Sequence, residues 1–127
     1  VPDADLAQSR RVVDAFFAAV RDGDFAALLA VLDPDVLVRA DYGVQPGGAP
    51  REVRGARAVA EGAVMFARYA QFAQPVLVNG AVGAVVAPGE HPYAVMGFTV
   101  RQGKIAEIDI LGDPARLRQL DLSRLDD

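Results

Sequence analysis

The apolar residues of this chain change their period once. They recur at helical spacing through its first half, one short strand aside, and at strand spacing through its second. Val12, Val13, Phe16, Phe17 and Val20 share one helix face, which predicts an amphipathic helix from about Leu6 to Arg21. Gly23 breaks that helix, and Asp24 can cap a second one whose Phe25, Leu28, Leu29 and Leu32 share a face. Pro34 disfavours helical geometry in the residue before it, so Asp33 to Asp35 closes the second helix. A β-rich run from Val36 to Asp41 comes next, and the Gly/Pro-rich stretch 42–50 is a loop. A third helix then places Val59, Ala63, Phe66, Ala67 and Ala70 on one face. From Gln74 the period is two, with one hairpin turning at Asn79-Gly80 and another at Gln102-Gly103.

A run of helices followed by a run of strands implies α+β rather than a wound parallel sheet. The three helices must cover one face of a curved antiparallel sheet, which curls round them to bury its apolar side chains. The expected shape is a cone whose open end could be a pocket. With 127 residues, 52% hydrophobic and 24% charged, there is material for one domain with a single core. Cysteine is absent, which removes disulfides, thiolate metal sites and Cys nucleophiles, and suits a reducing compartment such as the cytoplasm. The net charge of −4 argues against a direct grip on nucleic acid. No apolar run approaches the roughly 18 residues of a membrane span, and no signal-peptide pattern opens the chain. A start at Val1 followed by a polar lead-in is expected of a piece of a longer protein.

Two carboxylates are candidates for chemistry. If Gln102-Gly103 is a two-residue turn with regular pairing, Val100 faces Ile105, Phe98 faces Glu107 and Met96 faces Asp109. Asp109 would then share an apolar face with Met96, Phe98 and Leu111, where a carboxylate needs a partner or a purpose. A one-residue slip in register would undo that placement. Asp41 ends the first strand, where a general base could reach a substrate in the cone. It could equally bond the backbone of the turn that follows, as Asp commonly does. The only histidine, His91, sits in a turn-like stretch and reads as a rim residue. Nothing matches an HExxH helix, a calcium loop or a phosphate loop, and Ser9 and Ser123 lie in terminal segments, so no metal, cofactor or serine triad is expected.

The order of elements, with "DGDFAALLAVLDPDVLVRAD" leading in and "MGFTVRQGKIAEIDIL" closing, resembles the SnoaL-like branch of the NTF2-like superfamily. Within it, "VVDAFFAAVRDGDFAALLAVLDPDV", "REVRGARAVA", "LVNGAVGAVVAP" and "AVMGFTVRQGKIAEIDILGDPARLRQLDL" look most like one group. That group is the C-terminal domain of actinobacterial extracytoplasmic-function (ECF) RNA polymerase sigma factors of the SigJ, or ECF41-like, type. The resemblance implies a regulatory domain that packs on sigma-2 and sigma-4 regions of the same polypeptide and acts on RNA polymerase through them. The group's "DGGGK" segment falls on "DYGVQPGG", keeping Asp41 and Gly43, and its "NPDKL" segment falls on "DPARL". Asp113, Pro114 and Leu117 are then contact residues with Asp41 and Gly43. The isolated domain would expose apolar surface, and a homodimer could cover it.

The superfamily resemblance also implies a small-ligand pocket, here built from Phe16, Asp41, Tyr42, Phe66, Met96, Phe98 and Asp109, which would take a small apolar molecule. The ketosteroid isomerases, similar in shape, place a general-base Asp where Asp41 stands. Their oxyanion-hole Tyr and Asp fall on Phe16 and Met96, neither of which can donate a hydrogen bond to a developing oxyanion. A stand-alone isomerase or cyclase using Asp41, with Asp109 as partner, is therefore the alternative to the regulatory reading.

Overall fold

In the computed structural model, the described residues are 2–41, 51–78, 81–87, 94–112 and 122–124. Helix α1 runs from Pro2 to Asp22 and α2 from Phe25 to Val31. Gly23, at φ 65°, provides the left-handed residue that ends α1. Asp24 accepts a hydrogen bond from the Ala27 amide at 3.1 Å and so caps α2 as its sequence implies. Lys104 donates to the Ala30 carbonyl at 3.0 Å, satisfying an orphan acceptor at the other end of α2.

Strand β1 spans Leu32–Asp41. Leu32 is thus the first residue of a strand rather than the last of a helix face. The segment Asp33 to Asp35 lies inside β1 as an irregularity, because Pro34 has no amide to give the ladder and Asp33 turns its side chain back onto the Asp35 amide at 2.8 Å. A short strand β2, Arg51–Arg54, pairs antiparallel with β1 and was not foreseen in the sequence. The predicted third helix is two pieces, α3 (Ala56–Val64) and a single turn α4 (Ala67–Ala70). Between them Met65 and Phe66 bond back three residues, to Gly62 and Ala63, which tightens the turn that separates the two pieces.

The remaining strands are β3 (Ala73–Val78), β4 (Ala81–Val86), β5 (Ala94–Arg101), β6 (Lys104–Leu111) and β7 (Leu122–Arg124). Among the described residues they join β1 and β2 in one seven-stranded sheet in the order β2-β1-β6-β5-β4-β3-β7. All neighbours are antiparallel except β1 and β6, which run parallel and join the two ends of the chain. The fold is α+β, a curved sheet wrapped on helices.

The core lies between the sheet and the helices. Leu28, Val36 and Ile105 are completely buried, with Val13, Phe16, Leu32 and Ile108 nearly so. Phe16, Phe17 and Phe98 meet edge to face with centroids 5.3–5.9 Å apart, the geometry that ring quadrupoles favour. No polar or charged residue among those described is fully buried.

Candidate functional site

The cone has a cavity of about 280 Å³ between the sheet and the helices. From α1 come Phe16, Phe17 and Val20; from α3 and the turn after it come Val59, Ala63 and Phe66. The sheet supplies Val38 and Ala40 of β1, Val53 of β2, Met96 of β5, and Ile108 and Ile110 of β6. Val38, Ala40, Ile108 and Ile110 are alternate residues on two paired strands, so strand geometry alone puts all four on one face. The charged side chain among the described lining residues is Arg51. It sits opposite Ala40 on the edge strand β2, as Val53 sits opposite Val38. Val53 and Phe66 are partly exposed at the mouth, and Met65 beside them is 80% exposed.

The carboxylates are elsewhere. In the β5–β6 hairpin Val100 does pair with Ile105, but the register then shifts and Thr99 pairs with Glu107, Phe98 with Ile108, and Gly97 with Asp109. Ala106 is the extra residue of a β-bulge, and beyond it every side chain is one position off regular pairing. Ile108 and Ile110 therefore face the cavity, and Asp109 points to the outer face. There Arg39 Nε donates to Asp109 Oδ1 at 2.9 Å and Arg39 Nη2 donates to Glu107 Oε1 at 2.9 Å. Arg101 adds a second, longer contact to Glu107 at 3.5 Å. The expectation that Asp109 lines the pocket with Met96 and Phe98 is corrected by this bulge.

Asp41 also belongs to the outer side. It pairs with Leu111, one residue beyond Ala40 and Ile110, so alternation turns it away from the cavity face, and its carbonyl accepts from the Gly112 amide at 2.7 Å. Its placement as a base inside the cone is corrected on the same ground. Phe16, Phe66 and Met96 lie on the cavity wall, while Phe98 is buried behind it against Phe16 and Phe17. Tyr42, Gly43, His91, Asp113, Pro114 and Leu117 lie outside the described residues. The structure thus brings the aromatic and sulfur-bearing residues together and separates both carboxylates from them. Arg51 was missed, although the alternation of Arg51 and Val53 against Glu52 and Arg54 was a strand signal.

Chemically the cavity can bind and desolvate an apolar molecule, but its described lining has no group able to take up a proton at neutral pH. Among the described residues no cluster of His, Cys, Asp or Glu could hold a metal ion. No helix among them is long and apolar enough to cross a membrane.

No protein-family model and no curated protein matches this sequence. Solved structures do. The Mycobacterium tuberculosis extracytoplasmic function sigma factor SigJ is similar with a TM-score of 0.71 and 28% identity, over 87% of this chain and 44% of that one. The chain therefore spans less than half of that sigma factor's length. An NTF2-like protein from Burkholderia xenovorans is similar with a TM-score of 0.57 and 23% identity, over 90% of this chain and 95% of that one. The fold is NTF2-like. A candidate polyketide cyclase from Sinorhizobium meliloti shares it, with a TM-score of 0.54 and 27% identity over 79% of this chain and 93% of that one.

Proposed function

We propose that this NTF2-like chain is the regulatory domain of an ECF-type RNA polymerase sigma factor, working in the cytoplasm. It acts by contact with the sigma-2 and sigma-4 regions of the same polypeptide, and through them on transcription initiation. The observation that carries this reading is the similarity to SigJ, which extends over 87% of the chain at 28% identity. The chemistry of the cavity agrees with it, since a described lining that is apolar but for Arg51 and holds no general acid or base suits packing or ligand capture better than turnover. The contact residues are Asp41, Gly43 within the 42–50 segment, and Asp113, Pro114 and Leu117 in the tail. The isolated domain pairs with a second copy through the apolar surface that the sigma regions would cover.

The second reading, a stand-alone isomerase or cyclase with Asp41 as base, is supported by the similarity to the candidate cyclase. The outward strand position of Asp41 weighs against it. The reading frame around the Val1 codon separates the two. Sigma regions encoded upstream, with promoter-dependent transcription by the full-length protein altered by Asp41→Ala or Pro114→Ala, are the expected result. A start codon at Val1, or turnover of a polyketide-like substrate lost in Asp41→Asn, would overturn it.

A further inference from the structure

Arg51 is out of keeping with the rest of the cavity. Every other described residue of the lining is apolar or glycine, so among the described lining residues Arg51 carries the charge and no carboxylate stands with it. The charge is aimed by the fold. On β2, Arg51 and Val53 line the cavity while Glu52 and Arg54 alternate away, and Arg51 stands opposite Ala40, another lining residue. Because β2 is an edge strand, Arg51 lies where the cavity meets solvent. A charge there keeps part of its hydration while reaching a bound group, which avoids the cost of burying it outright.

The volume sets the size of what fits. A cavity of about 150 Å³ holds one benzene ring. The present one, at about 280 Å³, accommodates roughly twice that bulk. We infer that the cone is a binding site for a compact apolar monocarboxylate, two fused rings or a chain of like bulk. Its hydrocarbon body packs among Phe16, Phe17, Met96 and Ile108, and its carboxylate meets the planar donor fork of Arg51 at the mouth. The inference rests on the cavity alone and stands or falls independently of the sigma-factor reading.

Naphthoate and its uncharged counterpart naphthamide are suitable probes, titrated calorimetrically into the full-length protein. Naphthoate should bind at one site and more tightly than naphthamide. Arg51→Gln, on an exposed edge strand and so compatible with folding, should weaken naphthoate by about tenfold to a hundredfold and leave naphthamide unchanged. The chain's two methionines report the place. Methyl resonances should shift for Met96, on the cavity wall, and not for Met65, exposed outside it. Equal binding of the two probes, an Arg51→Gln variant that holds naphthoate as well as the parent, a shift confined to Met65, or no binding at all would each overturn the proposal. The first two of these outcomes would leave Arg51 as a solvated charge that protects the sheet edge.

Discussion

Arg39 and Asp109, 70 residues apart, are joined side by side on the outer face of the sheet with Arg39 Nε 2.9 Å from Asp109 Oδ1. The bond to Asp109, its charge, and the further charges of Glu107 and Glu52 hold the Arg39 guanidinium above its ordinary range. A raised pKa stabilises the fold at every pH below the guanidinium's unfolded value and loses that effect only as pH climbs through the raised one. Arg39→Gln should therefore lower the urea midpoint slightly, and equally, at neutral and mildly alkaline pH. High salt should erase most of the difference, because both groups are open to solvent. Asp109→Asn should leave naphthoate binding unchanged, which a pocket carboxylate would not.

Gln102 holds φ 54° beside Gly103 at φ 77°, the paired left-handed residues of a tight hairpin turn. Asparagine tolerates that conformation better than glutamine, so Gln102→Asn should stabilise the domain by about 0.5–1 kcal/mol, read from thermal melting.

Gly83 on β4 has no room for a side chain. A Cβ there would strike the Met96 carbonyl oxygen and lie 2.7 Å from Val78 Cγ2. Gly83→Ala should cost about 1–3 kcal/mol in urea denaturation. Gly97, its partner across the ladder, meets nothing within 4 Å, so Gly97→Ala should stay within about 0.5 kcal/mol.

Ile105 is the buried residue at which β1, β5 and β6 converge, paired with both Leu32 and Val100. Ile105→Ala should cost about 2–5 kcal/mol by the same measurement.

The helices α1 and α2 and the Gln102-Gly103 turn were legible because each carries its own local signal: a 3.6-residue period, a glycine stop and a capping Asp24, a turn dipeptide. What escaped was set by distant partners. Regular alternation from the turn put Asp109 in the pocket, and a single extra residue, Ala106, moved it out. The clue was present, since Ile105 and Ala106 are adjacent apolar residues and Ile108 and Ile110 then alternate with two carboxylates. The parallel pairing of β1 with β6 has no local signature at all, and β2 is only four residues long. Phe16, Phe66 and Met96 as cavity candidates came instead from the resemblance to a fold, which carries no signal for Arg51 on the edge strand and none for the bulge that removes Asp109.

Strand β7 gives the tail a place in the sheet. Leu122 to Ser123 and Arg124 pair with Val78, Leu77 and Val76, so the chain's end closes the sheet edge that β3 would otherwise present. Removing residues 113–127 should expose that edge and produce self-association by size-exclusion chromatography, together with a lower melting temperature. A monomer of unchanged stability would show that β7 does not protect that edge.

The parallel pair β1–β6 also sets a clock. Arg39 leaves the ribosome 70 residues before the Asp109 it will hold. At synthesis rates of about 5–20 residues per second, roughly 4–14 seconds separate the two. For that interval β1 lacks the neighbour that completes it, and the cavity has no β5 or β6 wall. The helical half and β1 are therefore made, and free to collapse, before the strands that complete their cavity exist.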